Sequence, residues 1–211
     1  MQNYARAQFG EFLDAIASKT PMPGGGAVSS AAGALGAAQA RMVISYSIGK
    51  KSLAAHQDAL QEAADRIDAA RRLLLDLADE DALAYGAMSE LMKLPKDDLR
   101  RVRELPGAVV AAIGAPRAVI ACCADLLRIY EQIAPITNTH LHSDLIVAAV
   151  LTEAAGRASR GNIVVNLPAL SEIEFGDDGP HREKPVDIIA QVDHHLSESL
   201  QRLGRIEDLC A

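Results

Sequence analysis

Aromatic side chains are scarce in this chain: among 211 residues there is no Trp, with three Phe and four Tyr. A β-sandwich or barrel builds its faces from β-branched and aromatic residues, so the scarcity points to closely packed helices of Ala, Leu, Ile and Val. Cysteine is sparse too. Cys122 and Cys123 are adjacent and Cys210 stands next to the C-terminus, which makes no disulfide framework and fits a reducing compartment. No apolar run follows Met1, so no secretory leader is expected. Positive charge is in deficit: 21 Lys and Arg against 28 Asp and Glu leave a net charge of −7, which disfavours nucleic acid as a partner. Long apolar runs are also missing. The nearest to a membrane span, Ala27 to Ile48, is broken by Ser29, Ser30, Gln39, Arg41 and Ser45, so no membrane association is expected.

What remains is ordinary globular usage, 49% hydrophobic and 23% charged, in a length that suits one domain over residues 1–211. Phe9, Phe12, Leu13 and Ile16 recur at helical spacing and predict a first helix ending before Thr20-Pro21-Met22-Pro23. After Gly24-Gly25-Gly26 a small-residue helix is predicted from about Ala27 to Ser47. Ala31, Ala34, Leu35, Ala38 and Met42 share one face of it, Gly33 and Gly36 leave room for close contact, and Gly49-Lys50-Lys51 closes it. The third helix carries the strongest signal: Leu60, Ala63, Ile67, Ala70, Leu74, Leu77, Ala84, Met88 and Leu91 form a bundle seam that ends at Leu94-Pro95.

Further helices are predicted over Asp97–Leu105, over Pro106–Ile133 with a bend or break at Pro116, and over His142–Ser159. Asn162 to Leu167 suits either a helix or a buried extended piece, and Glu174 to Pro185 reads as a loop. Ile189, Val192, Leu196, Leu200, Leu203 and Ile206 mark a closing helix. With no strand–helix alternation and no repeat, the expected fold is all-α, a single-domain antiparallel multi-helix bundle whose long helices also pair with a second copy.

The seam of the third helix has one gap, at Asp81, between Leu77 and Ala84. The helix is long and strictly periodic, so a carboxylate is placed on the buried face. Burial without a partner costs several kcal/mol, so Asp81 either finds a cation or hydrogen-bond donor, or its pKa rises. Two roles fit: a structural ion pair or wet seam position, and a carboxylate poised for acid–base or cation-stabilising work. Asp79 and Glu80 fall on other, solvated faces.

Gly24-Gly25-Gly26 ahead of a helix permits close backbone approach and leaves N–H groups free for a polar ligand; a flexible interhelical turn would use the same residues. It is not a Walker loop, because Ile44 occupies the position where Gly49-Lys50-Lys51-Ser52 would need the earlier glycine. His140-Leu141-His142 with Asp144 has metal-pair spacing only on a strand, so no metal site is expected; Ser143 or Asp144 suits a helix N-cap instead. Asn162 and Asn166, four apart in an apolar stretch, either tie backbone ends together or face a polar ligand.

Several of these segments, in order, resemble the cyclodeaminase/cyclohydrolase family, the formimidoyltetrahydrofolate cyclodeaminase domains and methenyltetrahydrofolate cyclohydrolases. They are Pro21-Met22-Pro23-Gly24-Gly25-Gly26 with the Ala/Gly helix to Met42-Val43, Ile48-Gly49-Lys50-Lys51, Asp81-Ala82-Leu83-Ala84-Tyr85 and Leu94-Pro95-Lys96, followed by Asn138 with Ser143-Asp144 and Asn162-Ile163-Val164-Val165-Asn166. The resemblance implies an all-helical, cytoplasmic, metal-free homodimer or larger oligomer whose substrate is a tetrahydrofolate derivative and which needs no further cofactor. It implies hydrolysis of 5,10-methenyltetrahydrofolate to 10-formyltetrahydrofolate; the alternatives are ammonia release from 5-formiminotetrahydrofolate and pterin binding without turnover. It assigns Asp81 the catalytic role, Asp144 the pterin edge, Pro23 and Gly24 to Gly26 the ring's approach, and Lys50 or Lys51 the glutamate tail. Asn138, Asn162 and Asn166 are the remaining binding candidates. The chain departs from the family's pattern at Gln39, Arg41, His140 and from Ser171 onward.

Overall fold

The computed structural model describes residues 8–20, 22–171, 173 and 183–211. Seven α-helices, and no strand among the described residues, make up the fold: α1 (Phe9–Ala17), α2 (Gly25–Ser45), α3 (Gln57–Met92), α4 (Leu99–Ile133), α5 (His142–Val164), α6 (Leu167–Ser171) and α7 (Pro185–Cys210). The all-α bundle expected from the sequence is the observed architecture. The loop predicted over Glu174 to Pro185 falls almost wholly outside the described residues.

α2 is the axis, packed against α3 on one side and α5 on the other, with α4 and α7 completing the bundle. Its small residues make this possible. A methyl group on Gly36 would stand 2.4 Å from Thr152 Oγ1 and 2.8 Å from the carbonyl of Ala148 on α5, and one on Gly33 would press on Leu74 of α3. Burial therefore runs nearly around the helix, through Ala27, Ser30, Ala37, Ala40, Val43 and Ile44. The single apolar face predicted for it is corrected: Leu35 is 48% exposed and Ala38 also faces outward. The helix also starts at Gly25, two residues earlier than predicted, so two glycines form its first turn.

The main core gathers Ile44, Leu60, Ile67, Leu74, Leu126, Leu127, Tyr130 and Leu145. A second cluster around Met88, Val109, Ile113, Ile163, Ile188 and Val192 holds the far half of α3 against α4, α5 and α7. A small third one, Phe12 with Ala27 and Ala78, seats α1 on the start of α2.

The helix boundary predicted at Pro106 and the break offered as one alternative at Pro116 are not found. α4 runs unbroken from Leu99 to Ile133 with both prolines inside, capped by Asp98, whose side chain accepts from the N–H groups of Arg100 and Arg101 at 2.8 and 3.2 Å. Pro116 has no N–H for the carbonyl of Ala112 four residues back, and Asn166 Nδ2 donates to that carbonyl instead at 3.2 Å. By length and composition the stretch from Leu99 to Ile136, α4 and the helical turn after it, could cross a membrane; half of its most apolar part is buried inside the bundle.

α5 continues past Ser159 to Val164, so the run from Asn162 begins as helix, turns at Val165–Asn166 and resumes as α6. The helix at His142 begins after Leu141, without a side-chain cap from Ser143 or Asp144. On α7, Leu200 is 60% exposed and Ser199 takes the inward position, in register with Val192, Leu203 and Ile206.

Candidate active site

The gap in the α3 seam opens into a cleft of about 260 Å³ where the first turn of α2, the middle of α3 and α4, and the end of α5 converge. Gly24, Gly25, Gly26, Asp81, Asn162 and Asn166 line it, with Met22, Ala82, Tyr85, Ala112 and Val165. Four segments distant in sequence, around residues 22–26, 81–85, 112 and 162–166, therefore meet here.

Gly26 is glycine because Asp81 occupies the space of its side chain. A Cβ built there would lie 2.0 to 2.3 Å from the atoms of the Asp81 carboxyl group, so the carboxylate is pressed flat on the first turn of α2. At Gly25 the same construction meets Asn162 Oδ1 at 3.0 Å. The glycine run is thus a seat for two polar side chains arriving from α3 and α5. Pro23, joined to Met22 by a cis peptide bond, is buried directly before it.

Asp81 has no hydrogen bond or ion pair among the described residues. Burial raises its pKa above the ordinary 3.8, and among the described residues no cation offsets that desolvation. The structural ion pair is therefore not the arrangement found. A half-buried, unpaired carboxyl group facing a cleft is suited to hold a cationic centre or to exchange a proton with a bound molecule.

The two asparagines divide the alternatives between them. Asn166 is buried and its amide is consumed by the carbonyls of Ala112 and Asn162, at 3.2 and 3.0 Å. Asn162 has no side-chain hydrogen bond among the described residues and turns its amide toward Gly25 and the cleft. Tyr85, one turn beyond Asp81 on the same face, and Met22, packed over Gly86, complete the wall. The sequence signal for Tyr85 is its spacing of four from Asp81.

Four other expected binding residues lie elsewhere. Lys50 and Lys51 follow Gly49, whose φ of +81° turns the chain at the far end of α2. The N–H of Asn138 donates to Ser47 Oγ at 2.9 Å at that same end. The Asn138 side chain accepts from the N–H of His140. Asp144, in the first turn of α5, accepts from Gln39 Nε2 at 2.6 Å. The 21 residues of α2 separate its two ends by about 30 Å. Within one chain, Lys50, Lys51, Asn138 and Asp144 do not border the Asp81 cleft. Among the described residues no three His, Cys, Asp or Glu side chains gather in a metal-binding group.

The sequence profile of the Formiminotransferase-cyclodeaminase family matches residues 8–182. A methenyltetrahydrofolate cyclohydrolase of Methylorubrum extorquens is 30% identical over 171 residues, covering 79% of this chain and 82% of that one. The formimidoyltransferase-cyclodeaminase of Sus scrofa is 32% identical over 169 residues, 78% of this chain and 31% of its own length; the chain thus spans about a third of that longer relative. In three dimensions the formiminotetrahydrofolate cyclodeaminase of Thermotoga maritima superposes with a TM-score of 0.83 at 27% identity, covering 97% of this chain and 96% of the other.

Proposed function

The chain belongs to the formiminotransferase-cyclodeaminase family and is an enzyme of folate one-carbon metabolism; we propose that it hydrolyses 5,10-methenyltetrahydrofolate in the Asp81 cleft. The observation that carries the proposal is the unpaired carboxyl of Asp81, desolvated and seated on Gly26 at the mouth of that cleft.

The methenyl bridge is an amidinium, its positive charge shared between N5, the bridging carbon and N10. An ionised Asp81 beside it replaces the water that would solvate that charge, and in a partly dry site the attraction is stronger than in bulk solvent. Water attacks the bridging carbon as Asp81 takes one of its protons. The tetrahedral adduct then collapses: the C–N5 bond breaks, Asp81 returns its proton to N5, and the adduct's hydroxyl proton leaves to solvent as the formyl C=O forms on N10. One water is consumed and one proton released. Asn162, whose Oδ1 lies 3.0 Å from where a Cβ on Gly25 would stand and whose amide has no partner among the described residues, is our candidate to hold the ring or the attacking water. Gly24 to Gly26 give the ring its approach to the backbone, while Pro23 is buried behind them and does not line the cleft.

The cyclodeaminase relatives favour a second reading of the same cleft, in which N10 closes on a 5-formimino carbon and ammonia leaves. Initial rates with each purified folate separate the outcomes. Loss of the methenyl chromophore supports hydrolysis, ammonia release supports cyclodeamination, and binding without turnover would reduce the protein to a pterin-binding bundle.

A cytoplasmic homodimer is part of the same reading. Leu35, Val147 and Val150 stand 48%, 49% and 42% exposed on two helices packed side by side, where Gly36 meets Ala148. A two-fold pairing over this apolar patch would cover it. With α2 antiparallel to its copy about Leu35, the Lys50–Lys51 and Asn138–Asp144 end of one chain would approach the Gly24–Gly26 end of the other.

A further inference from the structure

Among the described residues the Asp81 cleft has no Lys or Arg in its lining, yet the substrate proposed for it carries a benzoyl-glutamate arm that ends in carboxylates. A second cleft, about 330 Å³ in volume, lies farther along the same helices. α3 and α4 run antiparallel, so that Asp81 and Ala112 share the first cleft, while Met92, Val102, Leu105 and Pro106 share the second with Lys96 and Arg101. Both clefts border one stripe of α3, on which Asp81, Tyr85, Met88 and Met92 recur at spacings of three and four, with Met88 buried between them; Lys96 stands four residues past Met92, in the turn that follows the helix. Eleven residues of helix separate Asp81 from Met92, about 16 Å.

From the bridging carbon to its tail carboxylates, an extended p-aminobenzoyl-glutamate spans roughly 12 Å at ordinary bond lengths, and the long side chains of Lys96 and Arg101 can close the rest. The stripe also matches the order of chemistry along such a molecule. The amidinium meets a carboxyl at Asp81, the aryl ring passes exposed Tyr85 and Met92, and the carboxylates arrive at two cations. Arg101 is already held in place, donating Nη1 to the carbonyls of Met92 and Leu94 at 3.1 and 2.6 Å. Lys96 has no ion-pair partner among the described residues. Pro106 leaves the carbonyl of Val102, another residue of this cleft, without its i+4 donor, an acceptor matched to the amide N–H that links benzoyl and glutamate.

We propose that the cleft at Lys96 and Arg101 is the subsite for the anionic tail of the folate, resting on the reading that Asp81 attacks its methenyl carbon. The test is steady-state kinetics of the full chain with 5,10-methenyltetrahydrofolate and with 5,10-methenyltetrahydropteroate, which lacks the glutamate. Lys96 is exposed, so Lys96→Gln is expected to fold with an unchanged melting curve. Its KM for the glutamate form should rise about tenfold with kcat nearly constant, its KM for the pteroate form should not move, and Lys96→Arg should restore the wild-type value. The wild-type preference for the glutamate form should also shrink with added salt. An unchanged KM in Lys96→Gln, an equal rise with both compounds, or a rise confined to a Lys50→Gln/Lys51→Gln variant would overturn the subsite while leaving the Asp81 reaction standing. Where the wild type turns over neither compound, the reaction itself fails. Equilibrium binding of 5-formyltetrahydrofolate and its pteroate counterpart then decides the subsite by the same comparison, and equal or absent binding of the two rejects it.

Discussion

One methyl group at Gly26 is expected to disable the active site without unfolding the protein. The added Cβ of Gly26→Ala falls 2.0 to 2.3 Å from the Asp81 carboxyl, against ordinary contacts of 3.4 to 4 Å. The obstruction is a short side chain rather than backbone, so Asp81 gives way by more than about 1 Å and α2 stays where it is. Misplacing a reacting group by that distance costs on the order of 100-fold in rate. Stability moves little, because alanine in a helical position recovers up to about 1 kcal/mol relative to glycine, which offsets the cost of displacing Asp81.

Two measurements check this: the initial rate of methenyl loss at saturating substrate, and the thermal unfolding midpoint. A double-mutant cycle sharpens it. If Gly26 matters only as the seat of the carboxylate, Gly26→Ala in an Asp81→Asn background should cost no further rate, whereas independent contributions would multiply. A Gly26→Ala enzyme that is stable and retains full kcat would refute the argument that the seat positions the catalytic carboxyl.

Asp81→Asn itself is expected to fold and to lose about 10²- to 10⁴-fold in kcat. Its stability should depend on pH in a defined direction. The folded pKa of Asp81 is raised above 3.8 by burial, so the ionised form destabilises the fold above the folded pKa and the penalty is relieved as pH falls through it. The Asn variant should therefore melt above wild type near neutrality and converge with it in acid, and the acid limb of wild-type kcat/KM should lie above the ordinary carboxylate value. Coincident melting curves across that range, or an acid limb at the ordinary value, would contradict the raised pKa. Asn166→Ala should destabilise by about 1–3 kcal/mol because it orphans the Ala112 carbonyl, and urea unfolding should show that cost shrinking in a Pro116→Ala background, where the helix regains its own donor. Asn162→Ala, which breaks no hydrogen bond, should leave unfolding unchanged and impair turnover. Leu35→Glu should convert a dimer to monomer in sedimentation velocity; an unchanged sedimentation coefficient would place the interface elsewhere.

Asp81 is legible in the sequence because α3 is long. Leu77, Met88 and Leu91 are buried as their periodicity requires, and a helix with that many anchors cannot rotate one intervening residue away from the core. The seat of the carboxylate is not legible. A run of glycines marks a place where side chains are excluded, but which group fills the space is decided by the docking of α2 on α3, a contact between residues 55 positions apart. α2 shows a related limit. Its pattern of small residues identifies close packing, yet Gly33 and Gly36 admit helices on two sides, so no single apolar face exists to be read and Leu35 is left outside.

The prolines of α4 and the scattered binding residues miss for opposite reasons. At Pro116 the local rule is sound, since a carbonyl does lose its donor; the helix survives because a side chain 50 residues later, Asn166, supplies one. The proline and the asparagine that looked like separate signals are one structural unit, and that frees Asn162 for the cleft. Lys50, Lys51, Asn138 and Asp144 read as parts of one site because motif order carries no distance. A straight helix converts the interval between Gly26 and Ser47 into about 30 Å, farther than a folate arm reaches from Asp81. On the proposed reading the cation that this arm meets therefore comes from a neighbouring chain or from beyond the end of α3, and Lys96 stands in the turn after Met92, bordering the second cleft.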